Sequence, residues 1–312
     1  MANLRASKNI FVKILRWGLD KTRSFRHRVG LRQCQIKGLI QQLKIKQTLN
    51  QYEHSLKPKN KIEELHILFR SCTRVSISSS ARPCNATKRE VVFCSLQSLL
   101  DSITPVCTVH ILDDHSPIED VSVMKAMLTK FSGRHKFVTI QQTGNGNSLE
   151  ANYRYAKDHN FKLMYFCEDD YLHLPEAIPS MLEFYEEFSH DCIIHPTDYL
   201  DRYTRDDLYP SLFFLGKDRH WRTIRHTTGT LLLSQRILQI YWDRYLGFAE
   251  YNKKTNGGEA LTINRVYEKE ICVSPIPSLA AHFSSEPPMP PFQDWEKLFL
   301  GISNKLKLRQ EQ

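Results

Sequence analysis

Three consecutive acidic residues, Glu168, Asp169 and Asp170, follow the apolar run Leu163–Cys167. Three adjacent carboxylates cannot stay buried without partners, because their mutual repulsion and desolvation are costly. They need water or a cation, and hard oxygen ligands suit Mg²⁺ or Mn²⁺, which keep positions open for phosphate oxygens. The triplet therefore predicts a metal site for a phosphorylated ligand. An acidic helix cap at Asp170 is the alternative interpretation.

A second acidic pair, Asp113-Asp114, follows the apolar run Val109–Leu112. A carboxylate at the end of a strand can accept hydrogen bonds from a ribose hydroxyl or from a base imide. The alternative is a turn built on the segment Asp-Asp-His-Ser-Pro, in which Asp caps its own backbone.

The elements that must position these acids alternate regularly in type. Apolar runs predict strands at 65–69, 109–112, 136–140 and 163–167, and helical periodicity predicts helices at 88–103, 118–131, 149–159 and 175–188. This order predicts an α/β fold with right-handed crossovers and a mostly parallel sheet flanked by helices. Ligands of such sheets bind beyond the carboxyl ends of the strands, so both acidic clusters are expected at one site.

The second half of the chain is less regular. Short strands are predicted at 192–195, 227–233 and 271–273, with helices at 234–245 and 259–269 and a long loop at 196–218.

Basic residues are concentrated at the N-terminus. Residues 1–61 carry 15 Lys and Arg against two acids, whereas the rest of the chain carries 28 basic and 32 acidic residues. We interpret 1–61 as a basic helical arm with a linker, and 62–312 as the catalytic domain. The segment 8–19 predicts a basic amphipathic helix, so residues 1–30 are expected to bind an anionic membrane surface. The alternatives are a helix packed on the body or on a partner, and a disordered arm.

No secretory signal and no apolar run of transmembrane length is recognisable. The eight cysteines form no CxxC pair, and several lie in apolar runs, which favours reduced core thiols and a reducing compartment. A cytoplasmic protein, peripheral on the inner face of the membrane, is the expected location.

Several segments in their order resemble the family 2 glycosyltransferases of the GT-A (Rossmann-like) fold. The element Ile111–Ser116 is similar to the family's V-D-D-x-S segment, and NGNSLEANYRYAK, beginning at Asn145, is similar to its N-x-G…A-x-N-x-A segment. The triplet, within Phe166–Tyr171, stands where the family has its D-x-D-type motif. The resemblance covers residues 65–175 well and 190–285 loosely. It implies a donor half at about 62–175 and an acceptor half at about 190–285.

The resemblance implies a nucleotide-sugar donor, with UDP or GDP, and assigns residues to it. Arg74 and its loop would touch the nucleotide, and Asp113 or Asp114 would bind the base or the ribose. Asn145 and Asn152 would belong to the same donor-binding set. The acceptor would be a glycan, a polysaccharide or a lipid-linked hydroxyl, and no nucleic acid is expected.

The family's metal chemistry is carried over to the triplet. Asp170 would be the main ligand of Mn²⁺ or Mg²⁺, and Glu168, where the family has Asp, would face the ribose or the donor sugar. Asp169 is included in the donor-binding set without a defined contact. His282, after the last strand, would complete the metal shell as a late His does in several GT-A enzymes; a structural His is the alternative.

An inverting transfer also needs a carboxylate that removes the proton from the acceptor hydroxyl. The segment Gly257-Gly258-Glu259 resembles the family's acidic element at a helix start, and Glu259 is the predicted base. Asp198 and Asp201 are the competing candidates. An ordinary first-turn Glu is the alternative interpretation of Glu259.

Two other classes of protein share some of these features. A nucleotidyltransferase has a related sheet, but its first loop is rich in Gly, and residues 70–85 contain none. A nucleic-acid-binding or scaffold protein would explain the basic arm. It would not explain two acidic clusters at strand ends, which repel phosphate unless a metal intervenes.

Overall fold

A computed structural model describes residues 40, 61–74, 82–188, 190–203, 211–255, 257–284 and 289–308. The strands are β1 (Leu65–Ser71), β2 (Cys107–Asp113), β3 (Arg134–Thr139), β4 (Leu163–Glu168), β5 (Tyr171–His173), β6 (Ile193–Ile194), β7 (Phe213–Leu215), β8 (His220–Thr223), β9 (Leu231–Ser234), β10 (Cys272–Ile276) and β11 (Ala280–His282). The α-helices are α1 (Lys88–Asp101), α2 (Ile118–Lys130), α3 (Asn145–Asp158), α4 (Ala177–Glu187), α5 (Gln235–Ile240), α6 (Trp242–Asn252) and α7 (Trp295–Lys305).

Nine of the described strands form one sheet in the order β3-β2-β1-β4-β9-β6-β10-β8-β7. The pairs β2–β3, β1–β2, β1–β4 and β6–β10 are parallel. The antiparallel pairs all involve β9 or β8, so these two strands run opposite to the other seven. The predicted mostly parallel sheet is therefore confirmed. Its first four strands also confirm the predicted alternation of strands and helices.

Burial on both faces explains the apolar runs of the central strands. Every residue of β2 is buried, and one hydrophobic cluster lies on each side of the sheet. The helix α1 begins at a capping box, in which the Thr87 hydroxyl accepts from the Glu90 amide and the Glu90 carboxylate accepts from the Thr87 amide. This cap fixes the start of α1, and hence the position of Lys88, beside the carboxyl ends of β1 and β4.

The second half differs from its prediction in several elements. The predicted helix at 259–269 is two 3-10 helices, Glu259–Leu261 and Ile263–Glu268, and the predicted helix at 234–245 is divided into α5 and α6 at Tyr241. The predicted loop at 196–218 contains a 3-10 helix, Leu200–Tyr203, and the strand β7. Strands of three or four residues, such as β5, β7 and β11, are too short for periodicity to reveal. Whether such a segment forms a strand depends on the strand with which it pairs.

The predictions for the arm at residues 1–61 and for the membrane helix at 8–19 lie outside the described residues, apart from residues 40 and 61. No helix in the described part of the chain has the length and apolar composition needed to span a membrane. Five of the seven described cysteines are buried.

Candidate active site

The acidic residues singled out in the sequence meet at one edge of the sheet. In the parallel register Ser71 pairs with Asp113, and Arg70 pairs with Glu168. The carboxyl ends of β1, β2 and β4 therefore lie side by side, as expected for a ligand site of an α/β sheet. The small sheet formed by β5 and β11 adds His282 opposite Tyr171, directly after the triplet.

Glu168 is held by an arginine from the neighbouring strand. Arg70 donates from Nη2 to Glu168 Oε1 at 2.8 Å, and from Nη1 to Asn145 Oδ1 at 2.7 Å and Ser148 Oγ at 3.0 Å. Burial raises the pKa of Glu168, and the positive charge of Arg70 opposes that rise. Arg70 thus joins the ends of β1 and β4 to the first turn of α3.

Asp169 is bound on both oxygens by the protein itself. Lys88 Nζ lies 2.5 Å from Oδ1, and the Cys72 amide donates to Oδ2 at 2.8 Å. Asp169 is only 8% exposed. Burial lowers the pKa of Lys88, but attraction to Asp169 and Asp170 outweighs it and raises the pKa above the ordinary value. Lys88 is therefore a buried, charged partner of Asp169.

Asp170 is the member of the triplet with an unused oxygen. Its Oδ2 lies 3.1 Å from His282 Nε2, whereas its Oδ1 is buried and has no hydrogen-bond partner among the described residues. Burial opposes ionisation of Asp170, but His282, Lys88 and Arg70 outweigh it and hold its pKa well below the ordinary range. In return, Asp170 outweighs the burial of His282 and raises the pKa of that imidazole.

The side chains around Asp170 determine whether a metal ion fits this site. No group of three or more His, Cys, Asp or Glu side chains in the described part of the chain is arranged to hold a metal. Asp170 offers an unpartnered oxygen, and His282 Nε2, which lies beside the other oxygen of Asp170, could join it only if a metal ion took the place of its proton. Mg²⁺ is often bound by one or two protein groups with the remaining positions taken by water and substrate phosphates. The residues present therefore fit a divalent ion that arrives together with a diphosphate.

Asp113 and Asp114 differ in what they hold. Asp113 is 1% exposed, and its carboxylate accepts from Ser71 Oγ at 3.1 Å and from the Ser116 amide at 3.0 Å. It fixes the turn after β2. The Asp114 carboxylate accepts from Arg74 Nη2 at 3.2 Å and from the Gly144 amide at 2.8 Å.

Gly144 lies at φ +104°, a conformation that an L side chain rarely adopts, so glycine suits the backbone that points this amide at Asp114. Arg74, with a side chain 46% exposed, also donates to the Asp114 carbonyl at 2.9 Å. Arg74 thus lies at the solvent edge of the site and is held there by Asp114, whose side chain is buried.

Asn145 and Asn152 both lie on α3. Asn145 Nδ2 donates to Asn252 Oδ1 at 3.1 Å, and Asn252 Nδ2 donates to the carbonyl of Gly257 at 2.8 Å. A hydrogen-bonded chain therefore runs from Glu168 through Arg70, Asn145 and Asn252 to the turn that precedes Glu259. Asn152 is 2% exposed, and its Oδ1 has no hydrogen-bond partner within the described ranges.

Glu259 and Asp198, two of the three candidate bases, have different surroundings. Glu259 follows Gly257 and Gly258, which have φ of +95° and +93°, and its side chain is partly exposed at the start of a 3-10 helix of three residues. The position at a helix start is as predicted, but so short a helix provides little dipole.

Asp198 is 2% exposed and accepts from Arg222 Nε at 2.9 Å and from Tyr203 Oη, with Arg202 at 3.4 Å. Its carboxylate is thus paired inside the protein. The side chain of Asp201, the third candidate, lies outside the described side chains.

The segment 226–230 lies against the triplet. The Thr230 hydroxyl accepts from the Glu168 amide at 3.2 Å, and a Cβ at Gly229 would lie 3.1 Å from the Glu168 carboxyl carbon. Thr228 Oγ1 and Tyr171 Oη lie 2.6 Å apart. These contacts pack a small-residue loop closely against Glu168 and leave little space for a Cβ at Gly229.

Sequence reasoning missed Arg70 and Lys88, which neutralise Glu168 and Asp169. Arg70 is a charged residue near the end of an otherwise apolar strand, and Lys88 is the first residue of a capped helix. A charged side chain at the carboxyl end of a buried strand was a usable signal for Arg70. For Lys88 the signal was weak, because lysines at exposed helix starts are common.

The sequence matches the family model described as Glycosyl transferase family 2 over residues 89–252, slightly more than half of the chain. Comparison with the curated proteins gave no match.

Similar solved structures include residues 1–349 of S. aureus TarS, with 13% identity and a TM-score of 0.45; the match covers 68% of this chain and 57% of that one. They also include the mannosyltransferase PcManGT from Pyrobaculum calidifontis in complex with GDP-Man and Mn²⁺, with 9% identity, a TM-score of 0.40, and coverage of 59% and 48%. A UDP-glucose pyrophosphorylase complexed with UDP-glucose has 10% identity, a TM-score of 0.40, and coverage of 79% and 100%.

The chain thus spans little more than half of the TarS fragment and about half of the mannosyltransferase. The family match, in contrast, extends from α1 to the end of α6, and it includes the triplet and the loop that covers it. The chain therefore belongs to glycosyl transferase family 2, and its mostly parallel α/β sheet is of the GT-A type expected for that family.

Proposed function

We propose that this protein transfers a sugar from a UDP- or GDP-sugar to a hydroxyl group of a glycan or a lipid-linked acceptor. The observation that carries the proposal is the buried, unpartnered Oδ1 of Asp170 beside His282, at the sheet edge where Arg74 and Asp114 also lie. Family membership supports the reaction class.

In this proposal the donor lies across the carboxyl ends of β1, β2 and β4. Arg74 and Asp114 bind the nucleotide, because the exposed Arg74 is oriented by the buried carboxylate of Asp114 at the end of β2. Glu168, 23% exposed at its side chain, faces the ribose or the donor sugar beneath Gly229. Asn152, on α3, has an unpartnered Oδ1 that would accept a hydrogen bond from the donor.

Asp170 and His282 are the residues that would hold Mn²⁺ or Mg²⁺. The bound ion would neutralise charge on the leaving diphosphate. The remaining charge in the site is balanced inside the protein, since Arg70 faces Glu168 and Lys88 faces Asp169. The proposal thus assigns one carboxylate of the triplet to the ion.

Glu259 is proposed as the base that removes the proton from the acceptor hydroxyl, whose oxygen then attacks the anomeric carbon with inversion. The hydrogen-bonded chain through Asn145 and Asn252 supports this role, because it connects the Glu259 turn to the donor-binding residues. Asp198, paired with Arg222, is proposed to hold the acceptor side of the site in shape.

We also propose a membrane partner and a cellular location for the protein, both through its N-terminal residues. Residues 1–30 would bind an anionic membrane surface, which would keep a cytoplasmic enzyme close to a lipid-linked acceptor or a polysaccharide. Co-sedimentation with vesicles that contain anionic lipid, with and without residues 1–30, tests this part. Equal binding of both proteins would contradict it.

Calorimetric titration with Mn²⁺ and UDP or GDP tests the donor site. We expect Asp170→Ala to lose Mn²⁺-dependent nucleotide binding and sugar transfer while its unfolding transition stays cooperative. The exposed Asp158→Ala, at the end of α3, is the matched control. If Asp170→Ala binds Mn²⁺ and nucleotide like the natural protein, the assignment is wrong.

Glu259→Gln tests the base. It should retain donor binding and lose turnover by about 100-fold or more, as expected when a general base is removed. The exposed Glu268→Gln is its control. Unchanged turnover in Glu259→Gln would exclude Glu259 as the base.

A further inference from the structure

Both carboxylate oxygens of Asp169 are engaged by residues of other segments, one by Lys88 and one by the Cys72 amide, whereas the neighbouring Asp170 keeps one oxygen unpartnered. We propose that Asp169 and Lys88 form a positioning pair. The pair fixes residues 72–74, which include the proposed nucleotide contact Arg74, relative to Asp170, the proposed metal ligand. This inference rests on the proposed function for its readout in ligand binding.

Three segments meet at this pair. Lys88 is the first residue of α1, Asp169 follows β4, and Cys72 follows β1. In the chain, Lys88 lies 81 residues and Cys72 lies 97 residues from Asp169. The side chains of Lys88 and Asp169 are 13% and 12% exposed, so the pair is largely shielded from water. Removing one partner of a buried pair leaves an uncompensated charge, which forces the surrounding backbone to rearrange.

The consequence for the site follows from the neighbours of the pair. Cys72 lies two residues before Arg74, which orients Asp114, and Asp169 directly precedes Asp170. The hydrogen bond from the Cys72 amide therefore connects the nucleotide contact to the metal contact through one carboxylate. A change in the pair should weaken nucleotide binding without removing a ligand atom of the ion.

The alternative is that Asp169 or Lys88 contacts the ligand directly. Asp169 would then contribute to binding of the ion even in the absence of Lys88, and Lys88 would contribute to binding of the diphosphate even in the absence of Asp169. The two interpretations differ in additivity, because residues that act through each other give non-additive effects when both are changed.

The experiment uses the full chain and four variants: Lys88→Gln, Asp169→Asn, the double variant, and Lys88→Arg. Mn²⁺ alone is titrated by electron paramagnetic resonance, and UDP and GDP with Mn²⁺ are titrated by calorimetry. The exposed Lys130→Gln at the end of α2 is the matched control.

We expect each single variant to weaken the binding of UDP or GDP with Mn²⁺ by about 10-fold or more, within the range of coupling between residues in contact. The double variant should be no weaker than the worse single variant, Lys88→Arg should recover most of the affinity, and the Kd for Mn²⁺ alone should change by less than about threefold.

Loss of Mn²⁺ binding in Asp169→Asn would overturn the proposal, because Asp169 would then be a ligand. So would an equal effect of Lys88→Gln with and without Asp169, since Lys88 would then contact the diphosphate. Additive losses of nucleotide affinity would have the same meaning.

Hydrogen exchange at the Cys72 amide gives a second readout that needs no ligand. Asp169→Asn and Lys88→Gln should both accelerate exchange there, and Lys88→Arg should restore protection. Unchanged exchange in both variants would overturn the positioning role. If the natural protein binds neither UDP nor GDP with Mn²⁺, the proposed function fails, and the exchange result still decides the fate of the pair.

Discussion

Arg70→Met removes the charge that faces Glu168 while it keeps most of the apolar stem. Arg70 makes three hydrogen bonds, to Glu168, Asn145 and Ser148, and its side chain is 15% exposed. The substitution therefore disconnects β1 from α3 and leaves a mostly buried carboxylate without its cation.

The expected loss of stability is large, because the Arg70 side chain is mostly buried. Breaking a buried ion pair by removing one partner costs about 3–5 kcal/mol, because the remaining charge is left uncompensated. Since Glu168 keeps a side-chain exposure of 23%, we expect the lower end, about 3 kcal/mol. Arg70→Met with Glu168→Gln should recover a good part of this, because the unpaired charge is gone.

Urea denaturation followed by circular dichroism measures the free energy of unfolding. Arg265→Met is the matched control, because Arg265 pairs with Glu268 on the surface and both side chains are about half exposed. We expect a change of less than about 1 kcal/mol for this control. A loss below about 1 kcal/mol in Arg70→Met, or a double variant as unstable as the single one, would refute the reasoning.

Three further outcomes are expected. Gly229→Ala places a Cβ 3.1 Å from the Glu168 carboxyl, so donor binding measured by calorimetry should weaken by about 10-fold or more; an unchanged Kd would contradict this. Asn252→Ala breaks the link to the Glu259 turn, so turnover should fall while the Kd for the donor stays; an equal loss of both would contradict a role in positioning the base. Three buried histidines have their pKa lowered by burial to about 3, below the 6.5 of an unfolded chain, so the stability present above pH 6.5 should fall as the pH decreases towards 3. Each of these histidines, which are His110, His173 and His195, should lower the free energy of unfolding by about 2 kcal/mol at pH 5, as measured by urea denaturation. Equal stability at pH 7 and pH 5 would contradict this.

Much of the first half of the fold was predictable from the sequence. Central strands that are buried on both faces must be continuous apolar runs, and the helices between them show their own periodicity. The alternation of the two then requires parallel strands, whose carboxyl ends lie at one edge. For this reason the sequence also predicted that Asp114 and Asp170 approach one site.

The second half was less predictable, because its elements depend on their partners. The strand β11 exists because it pairs with β5, and the helix α7, absent from the sequence prediction, packs against α1. The base predicted at Glu259 also lies on a 3-10 helix rather than an α-helix. Short elements of this kind carry too few residues for periodicity to distinguish them from loops.

By itself, the sequence determined the order of strands and helices, the edge at which the acids meet, and the need of the triplet for positive charge. Only the tertiary structure decided where that charge comes from. Arg70, Lys88 and His282 lie 98, 81 and 112 residues from the carboxylates they pair with. Local patterns carry no information on contacts of such separation. The packing of β1, α1 and β11 around the end of β4 brings each cation to one carboxylate, and it leaves the free oxygen on Asp170.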